Sequence, residues 1–175
     1  MDSLSAEVSA VVVHAFISSR LDYCNSLLTG ISAHLIQRLQ VLQNAAARLI
    51  AGARRYDHIT PILQSLHWLP VRERIVYKMS MLVHRCISGD APQYLTALVN
   101  LIRNNSRPWS LRSGATNQLI IPRARTNLGA RAFSIAGPTI WNSLPSAIRD
   151  YQGPITSFAK LLKSHLYALA AAAHS

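Results

Sequence analysis

Residues 32–52 read SAHLIQRLQVLQNAAARLIAG, and this stretch predicts a long amphipathic helix. Ser32 is a favourable N-cap residue, and Gly52 is the residue type that most often follows the last helical turn. Between them, apolar residues at helical spacing predict one buried face, formed by Leu35, Leu39, Leu42, Ala46, Leu49 and Ile50. Polar side chains predict the opposite, solvent-facing side, formed by Gln37, Gln40, Asn44 and Arg48. We therefore expect Leu42, at the centre of the apolar face, to lie in the core.

Further helices are predicted on both sides of this one, over residues 5–18, 60–66, 71–88, about 92–101, 128–136 and 138–143, and from Thr156 onward. The 71–88 helix carries an apolar face of Val71, Ile75, Met79, Leu82 and Cys86. The last helix is predicted to bury Phe158, Leu161, Leu162, His165 and Leu169, and to expose Lys160, Lys163 and Tyr167. Residues 119–122 could form a short strand, which Pro122 weakens.

These patterns predict an all-α protein. We expect a small helical bundle over residues 1–101, followed over residues 102–175 by an Arg-rich, less regular segment with short helices and a C-terminal docking helix. Trp68 and Trp141 stand between aliphatic residues and are predicted to pack in the core. Cys24 is predicted to be a buried or half-buried structural thiol.

The charge balance favours a nucleic-acid partner. The 175 residues include 18 Lys and Arg against seven Asp and Glu, a net charge of +11, and 15 of the 18 cations are arginine. Half of the residues are hydrophobic, which excludes a disordered basic tail. Arginine binds phosphate through two parallel hydrogen bonds and stacks on bases, so its dominance over lysine favours nucleic acid over mere solubility.

Residues 91–149 contain seven arginines and no acid. Cations that are not interspersed with anions differ from an ordinary soluble surface, where the two signs mix. We therefore expect phosphate contacts here, with a solvated surface or intramolecular pairing as the alternative. The predicted nucleic-acid-binding residues are Arg74, Lys78 and Arg85 on the 71–88 helix, followed by Arg107, Trp109, Arg112, Arg123, Arg125 and Arg131. Among them, Trp109 is the candidate for base stacking.

Nothing in the sequence predicts catalysis, a metal site or a cofactor. No two of the seven acids lie closer than five positions, whereas two-metal phosphoryl transfer needs clustered carboxylates. Neither a phosphate-binding loop, a G-x-S-x-G motif nor an H-E-x-x-H motif occurs. With two separated cysteines, no positively charged signal segment and no apolar run of membrane-spanning length, we expect an intracellular chain, nuclear or cytoplasmic, outside the membrane.

A series of short motifs resembles the polyproteins of non-LTR retrotransposons (LINEs), of the jockey-like or chicken-repeat-like kind. In chain order these are residues 13–28 (VHAFISSRLDYCNSLL), 39–50 (LQVLQNAAARLI), 57–61 (DHITP), 66–72 (LHWLPVR), 111–113 (LRS), 122–125 (PRAR), 130–134 (ARAFS), 141–145 (WNSLP) and 158–163 (FAKLLK). Together they cover roughly residues 10–168, nearly the whole chain.

The resemblance implies a region that follows the palm of a reverse transcriptase, with thumb-like helices over residues 1–101 and what lies downstream of them. The family's catalytic aspartates lie upstream of every matched motif, so none is carried over to this sequence. A thumb grips an RNA or RNA/DNA duplex by its backbone, and the upstream palm would be a protein partner. The resemblance thus implies a non-catalytic fragment of an RNA-directed DNA polymerase.

The alternative function is a helical protein-interaction module with no nucleic-acid role, in which the apolar N-terminal helix packs against a partner. A third hypothesis, a self-sufficient enzyme, lacks a carboxylate cluster. The salt dependence of binding separates the first two, because phosphate binding weakens steeply with salt and an apolar interface does not.

Overall fold

The protein is described here by a computed structural model, which covers residues 6–99 and 117–172. Within these residues the fold is all-α, as predicted, and contains no β-strand. A π-helical stretch, His14–Ser18, continues α1 into α2, and 3-10 turns cover Asn25–Leu28 and Gly129–Arg131. The α-helices are α1 (Ala6–Val13), α2 (Ser19–Asp22), α3 (Ala33–Ala51), α4 (Ile59–Ser65), α5 (Val71–Ser88), α6 (Gln93–Thr96), α7 (Phe133–Ser143), α8 (Ser146–Arg149) and α9 (Ile155–Ala172).

Helix α3 has the predicted ends but a different buried face. The hydroxyl oxygen of Ser32 accepts a hydrogen bond from the Leu35 N–H at 3.4 Å, and Gly52 ends the helix with φ +60°. The predicted burial of Leu42 is wrong, because this side chain is 57% exposed. Leu35 and Leu49 are exposed as well, whereas Gln43, Ala46 and Ala47 are buried.

Small side chains and an amide explain this rotation of α3. Ala46 and Ala47 allow a close approach of neighbouring elements and pack in a core with Val13, Leu63 and Trp68. The Gln43 amide donates to the Leu69 carbonyl at 2.9 Å, and the Gln40 oxygen accepts from the Val71 N–H at 2.8 Å. The backbone groups of the connector between α4 and α5 need hydrogen-bond partners, and the glutamine side chains of α3 supply them.

Helix α5 agrees with the sequence analysis, and α6 is shorter than predicted. Four of the five predicted apolar side chains of α5 are buried, Leu82 being half-buried, and Gly89 follows the helix with φ +80°. Helix α6 ends at Thr96, where hydrogen bonds of the tighter i→i+3 type take over, from the Leu98 N–H to the Leu95 carbonyl and from Val99 to Thr96.

Helix α7 is one continuous helix, although Gly137 and Pro138 were predicted to split it. Pro138 removes one hydrogen bond of the helix, which by itself is unfavourable. Both residues are buried, and a Cβ at Gly137 would lie 3.1 Å from a methyl carbon of Val83. Because Gly137 has no side chain, α7 can pack closely against Val83, and this packing compensates for the hydrogen bond lost at Pro138.

The buried stripe of α9 differs in part from the prediction. Phe158, Leu162, Leu166 and Ala170 are buried at a regular spacing of four residues. Leu161 and Leu169, predicted inside, are 39% and 50% exposed. Tyr167, predicted outside, is half-buried, and burial raises the pKa of its phenol.

The chain divides into two compact units. The N-terminal unit comprises residues 1–75 and 166–175, and the central unit comprises residues 76–165, so α5 and α9 each contribute to both. The predicted boundary between residues 101 and 102 lies outside the described residues and stays a prediction.

The core of the central unit is built on aromatic rings. Trp141 and Phe158 are buried, with ring centroids 5.9 Å apart, and the His84 ring stacks on Phe158 at 4.1 Å. Trp68, in the N-terminal unit, is also buried, so both predicted core tryptophans are confirmed. Burial lowers the pKa of His84, while Asp90 opposes this shift in part.

Stability is therefore expected to fall as the pH decreases below 6.5, the ordinary pKa of histidine. Because the folded state binds the proton only at lower pH than the unfolded chain does, the His84 contribution is complete above that value and is lost below it. Chemical denaturation at about pH 7.5 and about pH 5.5 measures the difference. His84→Leu should reduce this difference, and an unchanged pH dependence in a folded His84→Leu variant would contradict the prediction.

Candidate nucleic-acid interface

Positive charge is concentrated in the central unit. Residues 76–165 include eleven Lys and Arg against Asp90 and Asp150, a formal charge of +9. The N-terminal unit includes seven Lys and Arg against five acids, a formal charge of +2. A surface of one dominant sign attracts polyanions and raises their rate of association. The central unit is therefore the candidate nucleic-acid interface.

The three cations predicted on α5 have different surroundings. Lys78 and Arg85 are exposed and belong to the central unit. Arg74 belongs to the N-terminal unit, where its guanidinium makes a two-point ion pair with Asp22, at 2.5 and 2.6 Å. A charge compensated in this way attracts phosphate less than a charge without an acid beside it.

The downstream cations divide similarly. Arg123 and Arg125 are both exposed, in an irregular segment between Leu119 and the Gly129–Arg131 turn. Arg131 is half-buried at the end of that turn and has an interaction partner within the protein. The other three predicted residues, Arg107, Trp109 and Arg112, lie outside the described residues.

The start of the Arg123–Arg125 segment is held by side chains from the loop and helices that follow it. The Asn142 amide donates to the Leu119 carbonyl at 2.8 Å and accepts from the Leu119 N–H at 2.9 Å, as a neighbouring β-strand would. The Trp141 indole N–H donates to the Asn117 carbonyl at 2.8 Å, and Asp150 accepts from the Asn117 N–H at 3.1 Å. We call these three side chains the clamp.

The Asn142 side chain of the clamp satisfies both backbone groups of a buried residue. Leu119 is 1% exposed, so its backbone groups must be paired within the protein. The WNSLP motif supplies Asn142 for this pairing and Trp141 for the Asn117 carbonyl, and its Leu144 is buried in the core. The clamp thereby fixes the position from which Arg123 and Arg125 extend into solvent.

Arg149, the last arginine of the acid-free stretch, has a structural role. It is 8% exposed, and its guanidinium donates to the carbonyls of Asn142 and Leu144 at 3.3 and 3.4 Å. These carbonyls lie at the end of α7, where a cation also interacts favourably with the helix dipole. Arg149 is therefore not available to a ligand.

A second basic turn was not identified from the sequence. Residues 53–58 follow α3 and contain Arg54, Arg55 and Tyr56, all three exposed. The Arg55 guanidinium lies over the Tyr56 ring, 5.9 Å from its centroid. In the sequence, only the Arg-Arg-Tyr run shortly after the helix-ending Gly52 indicates this turn. Many surface turns contain such a run, so the indication is weak.

In residues 6–99 and 117–172, no group of three His, Cys, Asp or Glu side chains could hold a metal ion. Cys24 is exposed, so its predicted burial is wrong; its backbone has φ +50°, in a tight turn that directs the residue outward. Cys86 is buried, and burial raises the pKa of its thiol.

Among the described helices, none combines the length and apolarity that crossing a membrane requires. No protein-family model matches the chain, and searches of curated proteins and of solved structures find no match.

Proposed function

We propose that this protein is a non-catalytic C-terminal fragment of a LINE-type RNA-directed DNA polymerase that contacts the backbone of RNA or of an RNA/DNA duplex through arginines. The observation that carries the proposal is the charge of the central unit, eleven Lys and Arg against two Asp. The ordered motifs that resemble LINE polyproteins support the assignment to this class, with the upstream polymerase palm as a protein partner.

The contact is proposed to be with phosphate rather than with base edges. Arg123 and Arg125 are exposed, neither has an acid nearby in sequence, and the clamp fixes the start of their segment. Phosphate contacts position a protein on nucleic acid without reading its sequence. An RNA-containing duplex is recognised in this way, because its major groove is too deep and narrow for side chains to read.

The double variant Arg123→Gln/Arg125→Gln tests the proposal through the dependence of log K on log salt concentration. If each arginine neutralises one phosphate, the slope should become shallower by about 1.8 units on a duplex or about 1.4 on a single strand. The loss should be similar for unrelated sequences. Because both side chains are exposed, the fold should change little.

The matched control is Arg20→Gln/Arg38→Gln, which removes the same charge from exposed positions of the N-terminal unit. This variant should keep the wild-type slope to within about one contact. An unchanged slope in the folded Arg123/Arg125 variant, or equal flattening in both variants, would reject phosphate contact through the central unit.

A protein-interaction module is the second candidate function, and the surface of α1 favours it. Val8, Val11 and Val12 are 45%, 68% and 43% exposed, and Phe16, in the π-helical continuation, is 73% exposed. Adjacent exposed apolar side chains of this size are typical of a surface that contacts another protein. Binding of a partner there would depend weakly on salt, in contrast to the phosphate contact.

A further inference from the structure

Tyr56 is the most exposed of the large hydrophobic residues that the structure describes, at 90%. A tyrosine ring buries a large apolar area when it packs, and folding here leaves that area in water. The residue stands in the turn after α3, in the N-terminal unit, apart in sequence from the cations of the central unit.

The turn that carries Tyr56 is held by specific hydrogen bonds. The Asp57 carboxylate accepts from the Arg54 N–H at 2.6 Å, and the Arg48 guanidinium donates to the Asp57 carbonyl at 3.1 Å. The Ala53 N–H also donates to the Arg48 carbonyl at 3.0 Å, across the left-handed Gly52. A contact surface ordered before binding loses less conformational entropy when a ligand arrives.

This turn carries an aromatic ring on which a base can stack and guanidinium groups that can bind phosphate. The Arg55 guanidinium lies over one face of the Tyr56 ring, and the high exposure of the ring leaves the other face accessible. Arg54 and Arg55 directly precede Tyr56 in the chain, and both are exposed and can pair with phosphates. The one acid of the turn, Asp57, already accepts a backbone hydrogen bond.

We propose that the turn of Arg54, Arg55 and Tyr56 binds single-stranded nucleic acid, with a base stacked on the open face of Tyr56 and the two arginines at the adjoining phosphates. Aromatic platforms flanked by cations bind single strands in this manner, and stacking tolerates any base because every base has a flat face. This site goes beyond the backbone contact proposed for the central unit, since it requires bases rather than phosphates alone.

The experiment uses the full chain and two single strands of about twelve nucleotides, one of uridines and one of the same length without bases. Wild type should bind the base-containing strand more tightly. Tyr56→Ala should weaken that binding by about 5- to 150-fold and leave binding of the baseless strand unchanged. Tyr56→Phe should retain wild-type affinity because the ring is kept.

Tyr23→Ala is the matched control, since Tyr23 is 79% exposed in the same unit and should leave both affinities unchanged. Equal wild-type affinity for the two strands, or equal losses in the Tyr56→Ala and Tyr23→Ala variants, would overturn the stacking site. The backbone contact is judged separately, by the salt slope on duplex in the Arg123/Arg125 variant. Tyr56→Ala removes no charge and should not alter that slope.

Discussion

Gln43→Ala is expected to lower the free energy of unfolding by about 2–4 kcal/mol, whereas Leu42→Ala should lower it by less than about 1 kcal/mol. Gln43 is fully buried, and its amide donates to the Leu69 carbonyl. Truncation leaves both a cavity and an unpaired buried carbonyl, each of which is unfavourable. Leu42 is 57% exposed, so its truncation removes little buried surface.

Chemical denaturation of the two variants measures this contrast. Gln43→Met separates the two causes, because methionine keeps most of the volume but cannot donate to Leu69; we expect a loss of about 1–3 kcal/mol. Gln40→Ala should also be destabilising, since Gln40 accepts from the Val71 N–H and donates to Asn44 at 2.7 Å. A larger loss for Leu42→Ala than for Gln43→Ala would mean that α3 faces the core with its leucines.

Asn142→Leu is expected to destabilise the protein by about 2–6 kcal/mol, because it leaves two buried backbone groups of Leu119 without partners at about 1–3 kcal/mol each. Leucine has the same branched side-chain skeleton as asparagine, with two methyl groups in place of the amide oxygen and nitrogen, so it can neither donate nor accept. The midpoint of chemical denaturation measures the loss. Asn127→Leu, at an exposed position of the neighbouring segment, should stay within about 0.5 kcal/mol.

The Asn142→Leu variant should also change the susceptibility of the Arg123–Arg125 segment to proteolysis. When the clamp is weakened, the Arg123–Arg125 segment should open more often, and trypsin should cleave after Arg123 and Arg125 faster under native conditions. Asn127→Leu should keep the wild-type cleavage rate. If Asn142→Leu kept both the wild-type midpoint and the wild-type cleavage rate, the clamp would have no role in holding this segment.

For the candidate interface, the sequence predicted only that a stretch rich in arginine and free of acids would take part. The acid-free stretch indicated arginines without local partners, and Arg123 and Arg125 are indeed exposed. Pairing over long sequence distances was not predictable: Arg74 meets Asp22, 52 residues away. Arg149 was counted among the seven arginines of the acid-free stretch, yet it is buried against the carbonyls at the end of α7. The number of arginines can be read from the sequence, but which of them are exposed to solvent depends on the tertiary structure.

By itself, the sequence determined that the chain is helical and where α3 and α5 begin and end. These features depend on local chemistry: apolar periodicity, the Ser32 cap, and glycines 52 and 89 with left-handed backbones. Only the tertiary structure decided which side of α3 is buried, that α7 continues through Pro138, and that Asn142 pairs with Leu119. Each of these depends on what the neighbouring element offers, small side chains for close packing or buried backbone groups that need partners, and no local pattern records it.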